Sequence, residues 1–288
     1  MTSADPASAS PLFSFSQRAE PVRLREREPY VCGYAWRHPT PVASLVLVHG
    51  LQSHAQWFAG AADELLARGF SVYALDRRGS GSSPGLRGDV ERYTDWLDEV
   101  GEFLRLANAE HPDAPVHLVG HCFGANLAVG YALQQPATVA SVVMLTPGLY
   151  VLPDYSPIEK LRILATSIAR PQARFRVPQD DELFTRAPDV LAWIQQDGLG
   201  AKRLTGRCLM QINAMLRRLV RDVGKLETPV LVLEAAHDRI SDNRRNRSRL
   251  EKHLGDRCRF QTFDAEHFLL AEACREQVID ALVRWVTR

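Results

Sequence analysis

One ten-residue stretch, Val116-His117-Leu118-Val119-Gly120-His121-Cys122-Phe123-Gly124-Ala125, limits the folds open to this chain more than any other. The apolar run 116–119 reads as a short buried strand, and a helical stretch, 125–134, follows after only a sharp turn. Gly120 and Gly124 leave room for a turn tight enough to push the side chain between them outward. Gly-x-nucleophile-x-Gly at a strand–helix junction is the nucleophile elbow. The usual occupant of its centre is a hydroxyl; here it is the thiol of Cys122.

Such a turn belongs in a sheet whose strands alternate with helices, and the flanking sequence supplies one. Segment 21–37 predicts two short strands broken near Pro29. Residues 44–48, SLVLV, form a continuous apolar run, as in a strand covered on both faces. A helix over 57–68 closed by Gly69, a strand over 70–75 and a helix over 90–109 follow. In that last helix Val90, Tyr93, Leu97, Val100, Leu104 and Ala107 recur at spacings of three and four. A strand over 139–145 completes the run. The rhythm then stops: 147–227 contains helix-like stretches at 158–169 and 205–219 but no convincing buried strand. It resumes with a strand over 230–233, a helix over 243–254, a strand over 258–263 and a helix over 271–286. The expected fold class is therefore α/β, a mostly parallel sheet flanked by helices. A disordered tail is expected at 1–16, a core at 17–147 and 229–288, and a helical cap at 148–228.

With 288 residues the chain can hold one such domain plus an insertion. A net charge of +1 argues against a nucleic-acid partner and against a charged membrane surface. No apolar run approaches the roughly 18 residues of a transmembrane helix. Five cysteines, 32, 122, 208, 258 and 274, give neither a metal-ligand spacing nor a disulfide framework. With no signal peptide in evidence, this points to the cytoplasm. Nothing in the pattern calls for a cofactor or a metal.

A nucleophilic thiol needs a base to take its proton and an acid to orient the base. The strand at 230–233 runs into Glu234-Ala235-Ala236-His237-Asp238, and that at 258–263 runs into Asp264-Ala265-Glu266-His267. Both ends fall on the carboxyl edge, where ligands of open α/β sheets bind. We assign Cys122 as nucleophile, His267 as general base and then acid, and Asp238 as the orienting carboxylate, with Asp242 and Asp264 as rivals for the last role. The His121 side chain is expected to point away from the site, and His237 to be structural. An oxyanion needs donors. The amide after the nucleophile, Phe123, is one, and Leu51, in the loop after Val48, is the other. His54, Leu149, Trp193 and Met210 are candidates to line the substrate site. The other four cysteines read as small buried hydrophobes.

Four blocks line up with one family: Val48-His49-Gly50-Leu51-Gln52-Ser53-His54, Asp76-Arg77-Arg78-Gly79-Ser80-Gly81-Ser82-Ser83 with Gly85-Leu86-Arg87-Gly88, the elbow, and Asp238 with His267. Over residues 42–288 the chain resembles the α/β-hydrolases of the monoacylglycerol lipase and lysophospholipase type. The resemblance implies a Ser-type triad mapped onto Cys122, Asp238 and His267, oxyanion amides at Leu51 and Phe123, and a helical cap over an apolar acyl channel. The chain departs from the family pattern twice: the nucleophile is Cys122 instead of Ser, and Ala125 stands where Gly is usual.

The first departure changes the chemistry. A thiol ionises far more readily than a hydroxyl and is also a better leaving group. Attack on an unactivated oxyester tends to collapse backward, whereas attack on a thioester or lactone does not. The expected activity is hydrolysis of esters or thioesters through an acyl-Cys122 intermediate. The alternatives are acyl transfer or chain release from an activated donor and, from a different class, a non-catalytic ligand-binding protein with the same fold. The partner is a small acyl substrate, with coenzyme A or a carrier-protein thioester as the candidate donor. Residues 148–228 hold 13 Lys/Arg against nine Asp/Glu. The clusters Arg217, Arg218, Arg221 and Arg244, Arg245, Arg247, Arg249 could face phosphates or an acidic carrier, with a solvated helix face the favoured reading.

Overall fold

Two antiparallel strands, β1 (Glu20–Leu24) and β2 (Val31–Trp36), form one edge of an eight-stranded sheet. The computed structural model describes residues 17–25 and 30–288, so the expected tail at 1–16 and the break at Pro29 lie outside the described residues. The sheet continues with β3 (Ser44–Val48), β4 (Ser71–Asp76), β5 (Val116–His121) and β6 (Ser141–Leu145). A separate two-stranded antiparallel ribbon, β7 (Arg174–Arg176) with β8 (Arg203–Thr205), follows. The main sheet closes with β9 (Val230–Ala235) and β10 (Cys258–Phe263). Its order is β1-β2-β4-β3-β5-β6-β9-β10; β2 pairs antiparallel with both neighbours, and every pair from β4 to β10 is parallel.

The helices are α1 (Ala59–Ala67), α2 (Tyr93–Glu110), α3 (Phe123–Gln134), α4 (Pro157–Ala169), α5 (Pro188–Gln196), α6 (Gly206–Asp222), α7 (Asn243–Leu254) and α8 (Arg275–Val286). They cover both faces, which is why the central strands carry apolar residues at consecutive positions. Val46, Val48, Leu75 and Leu118 face one core with Val100, Phe103 and Leu127 of α2 and α3. Leu45, Leu47, Val72 and Val119 face the other with Leu65 of α1 and Ile279 and Leu282 of α8. The period-two alternation along each strand thus divides one apolar run between two cores.

Most expected elements form, with shifted ends. Residues 55–58 make a 3-10 turn before α1, and Gly69, at φ 89°, follows that helix in a conformation open mainly to glycine. The helix expected from Val90 starts only at Tyr93. Asp89 is held by Thr205 and Arg207, and the Gly88 carbonyl accepts from the Thr205 amide (3.0 Å), so 88–92 stay in a loop. The helix expected from Ala271 starts at Arg275, after a 3-10 turn. Between β6 and β9, α4 and α6 match the helical stretches expected there, α5, with Val190 and Ile194 buried at a spacing of four, is an additional helix, and the β7–β8 ribbon carries no readable period. Three-residue strands are too short to show one.

That inserted segment sits on loops at the carboxyl edge. Asp197 accepts hydrogen bonds from His54 Nε2 (3.1 Å), Trp57 Nε1 (3.2 Å) and its own Leu199 amide (2.8 Å), and its side chain is 4% exposed. The Gln52 carbonyl accepts from the Ala201 amide (3.1 Å), and the Phe268 amide donates to the Phe184 carbonyl (2.7 Å). Residues 52–57 follow β3 and Phe268 follows β10, so the insertion is fastened to the loops where the chemistry-bearing residues lie. Asp197→Ala leaves two buried N–H groups without an acceptor. It should lower the unfolding free energy by about 1–3 kcal/mol, read as an earlier urea midpoint.

Candidate active site

The turn after β5 is forced. A Cβ on Gly124 would lie 1.9 Å from the Val48 carbonyl oxygen, and one on Gly120 would lie 2.4 Å from the Ala125 backbone. Neither position tolerates a side chain, so β3 and α3 approach as closely as backbone allows. Between them Cys122 adopts φ 52°, ψ −114°. This region is closed to most L-residues and costs about 1–3 kcal/mol. The conformation is held by the Cys122 amide donating to the Leu145 carbonyl (2.9 Å) and the Gly148 amide donating to the Cys122 carbonyl (3.1 Å). Ala125, the second departure, is fully buried in the α2–α3 core.

Asp238 lies three residues past β9, and its Oδ1 accepts from the Ile240 and Ser241 amides, both at 2.8 Å. His267 Nδ1 meets both carboxylate oxygens, at 2.9 and 2.8 Å. The two side chains are wholly buried. Nδ1–H donates to Asp238, which leaves Nε2 as the nitrogen available for proton exchange. It is buried and has no hydrogen-bond partner among the described residues, and Cys122 lies near enough to act on the ring electrostatically. Burial alone would lower the His267 pKa, but the Asp238 carboxylate, and then Cys122, raise it to about 10. Burial likewise pushes Asp238 upward, yet the His267 charge and the hydrogen bonds hold it below the ordinary carboxylate value.

The rivals go elsewhere. Asp242 caps α7, accepting from the Arg245 amide (3.0 Å), and Asp264 pairs with His237 (2.7 Å) on the exposed surface. His121, expected to point away, instead stacks behind the site: its ring lies 5.1 Å from that of His267 and 5.3 Å from Phe268. Burial and the neighbouring His267 push it down to about 3, so it packs as a neutral ring.

Leu51 and Phe123 flank the elbow. A Cβ on Gly148 would lie 3.5 Å from both Cys122 Sγ and the Phe123 amide nitrogen, so residue 148 forms the wall beside them. Sequence reasoning missed this glycine. A cavity of about 570 Å³ runs from Leu51 between elements of the insertion, lined by Val151, Ile163, Leu204, Met210 and Leu216. Of the four proposed lining residues only Met210 borders it. His54 and Trp193 pack instead around the Asp197 contact, with their rings 6.1 Å apart, and Leu149 is part of the α2–α3 core. Among the described residues no cluster of three His, Cys, Asp or Glu side chains is arranged to hold a metal, all five cysteines are free thiols, and no helix is long and apolar enough to cross a membrane.

A family model described as "Serine aminopeptidase, S33" (Hydrolase_4) matches residues 39–273, which includes the elbow, Asp238 and His267. This chain belongs to the Hydrolase_4 family. It is 22% identical over 249 residues to a monoacylglycerol lipase of Mycolicibacterium smegmatis, covering 85% of this chain and 88% of the relative. The crystal structure of a Paleococcus ferrophilus monoacylglycerol lipase superposes with a TM-score of 0.77 at 26% identity, covering 88% of this chain and 98% of that one. A soluble variant of the Saccharomyces cerevisiae monoglyceride lipase, solved with a substrate analogue, superposes with a TM-score of 0.84 at 15% identity, over 94% and 96% of the two chains. The fold is therefore that of the α/β-hydrolases. The family description names a serine, and this member carries Cys122 at the elbow.

The shifted pKa values give a pH dependence with a definite sign. His267, raised from 6.5 to about 10, contributes stability that is full below pH 6.5 and is lost as pH rises to about 10. Asp238, held below 3.8, contributes stability that is full above that pH and is lost on acidification. The stability difference between the native chain and Asp238→Asn should be largest between about pH 4 and 6.5 and shrink toward pH 10, read from urea midpoints across the range.

Proposed function

We propose that this Hydrolase_4 member is an acyl-ester and thioester hydrolase that works through a covalent acyl-Cys122 intermediate. The observation that carries the reading is a buried imidazole bonded through Nδ1 to Asp238, its Nε2 left without another partner, beside the thiol of a residue held in a strained elbow. Similarity to monoacylglycerol lipases supports ester-bond chemistry. The apolar cavity beginning at Leu51 suits an acyl chain, with 148–228 acting as a cap above it.

In this mechanism Sγ adds to the acyl carbonyl carbon, and the thiol proton passes to His267 Nε2. The raised imidazole pKa makes Nε2 a strong acceptor, and Asp238 stabilises the imidazolium that results. The Leu51 and Phe123 amides donate to the tetrahedral oxyanion. The bond from the carbonyl carbon to the leaving oxygen or sulfur then breaks as Nε2–H protonates that atom, leaving a thioester on Cys122. Water adds to this thioester and gives a proton to Nε2, the carbon–sulfur bond breaks, and the proton returns to the sulfur.

Because a thiolate leaves more readily than an alkoxide, the forward path is favoured when the substrate is itself activated. Thioesters of coenzyme A or of a carrier protein, and lactones, are therefore the preferred donors in this reading. An acyl thioester on Cys122 is open to amines and thiols as well as water, so transfer to another acceptor is a second outcome of the same intermediate.

Matched oxyesters and thioesters, with intact-mass detection, test the proposal. An acyl-sized mass gain on the native chain, absent in Cys122→Ala, and a higher kcat/KM for the thioester are expected, with Cys122→Ala slower by at least about 10³-fold. A clear oxyester preference overturns the thioester assignment. A folded protein that gains no mass with any donor overturns the enzymatic one.

A further inference from the structure

Arg77 is a guanidinium with an unusual location. The residue is 1% exposed, deep beside the elbow, and among the described residues it has no carboxylate within ion-pair distance. The nearest acids are otherwise engaged: Glu99 is bound by Arg78, and Asp76 accepts from the Ala55 and Ser82 amides. Cys208, also close by, is a buried thiol pushed up to about 12 by desolvation and so supplies no countercharge at neutral pH. Burying a cation this way is costly, and Arg77's own pKa is driven down to about 10 by desolvation.

What Arg77 does bond to is specific. Its Nη2 donates to the Gly50 carbonyl (2.5 Å) and more weakly to the Leu51 carbonyl (3.4 Å). His49 supports the same carbonyl. Its Nε2 accepts from the Arg77 amide (3.2 Å), which leaves the proton on Nδ1, 2.8 Å from the Gly50 oxygen. The Gly50 carbonyl belongs to the peptide unit whose N–H is that of Leu51. A trans peptide points its C=O and N–H in opposite directions, so fixing one end aims the other. A charged donor on the oxygen also polarises the unit and strengthens its N–H as a donor. The guanidinium further lies over the rings of Phe123 (5.3 Å) and Trp96 (5.1 Å), which pack edge-on against each other. One side chain therefore touches both residues whose amides the proposed mechanism uses.

We infer that Arg77 is a positioning residue for the oxyanion site, clamping the Gly50–Leu51 peptide and bracing Phe123 so that both amides converge on the developing negative charge. The inference rests on the proposed acyl-transfer reaction. Arg77 does not touch the substrate; it acts through two peptide units. Its charge lies behind the peptide unit, at the carbonyl end, and a cation there favours negative charge at the amide end, so the field acts in the same direction as the geometry. A methionine of similar length would fill the space without the buried cation. Keeping Arg there makes sense if orientation of the loop matters more than stability.

The test compares Arg77→Met and Arg77→Lys with the native chain, using an activated thioester. The burst of first-turnover product counts competent sites, so that kcat is expressed per competent site. A purely structural role would reduce the number of sites and leave kcat per site unchanged. The inference expects KM within about threefold, with kcat per site lower by about 30-fold in Arg77→Met and about fivefold in Arg77→Lys; Lys keeps the charge but cannot reach both carbonyls with a planar fork. Urea midpoints should show Arg77→Met no less stable than Arg77→Lys. Native kcat per site in either folded variant overturns the inference, and Arg77→Lys alone decides if Arg77→Met does not fold. A native chain inactive on every thioester and oxyester would instead overturn the proposed function and leave the Arg77 contacts without that role.

Discussion

The approach of Gly124 to the Val48 carbonyl is the constraint on which the rest of the site depends. It lets α3 start where β5 ends and brings the loop after β3 against the same turn. Cys122 is left with no conformation but a strained one, and that strain is offset by hydrogen bonds from the neighbouring strand and from Gly148. The strain is local, but its support comes from three strands, so the thiol is held by the sheet and not by the turn alone.

Charge is distributed unevenly around that turn. Two imidazoles, His49 and His121, are kept neutral by burial, with a cationic neighbour opposing protonation of each, whereas His267 is pushed the other way by a single carboxylate and a sulfur. Three histidines within one small volume thus have different proton affinities because of what each faces. Only the one paired with Asp238 is disposed to carry a second proton, as the proposed mechanism requires.

The sheet and the elbow were legible because long-range order there is written locally. The fully buried run Ser44–Val48 and the Gly120–Gly124 spacing each have one physical explanation, and the strand ends placed Asp238 and His267 together without any knowledge of contacts. The insertion was less legible. Its ribbon strands are three residues long, and residues chosen for their apolar character, Leu149 and Trp193, turned out to pack against core and loop while Met210 reached the cavity. His54, expected to line the substrate site, anchors Asp197 instead, a residue with no sequence signal because its partners lie 140 and 143 positions away. Arg77 stands within the Asp76–Ser83 motif, and nothing local distinguishes a buried guanidinium from the thirty other arginines.

Leu51 illustrates a division of labour with an evolutionary consequence. In the proposed reaction its backbone amide donates to the oxyanion, while the residue also borders the 570 Å³ cavity. Substitutions at this position can reshape the room available to an acyl chain while the peptide unit that serves the reaction stays clamped from behind. Descendants of this sequence can therefore drift in substrate preference at Leu51 without first relearning how to stabilise an oxyanion.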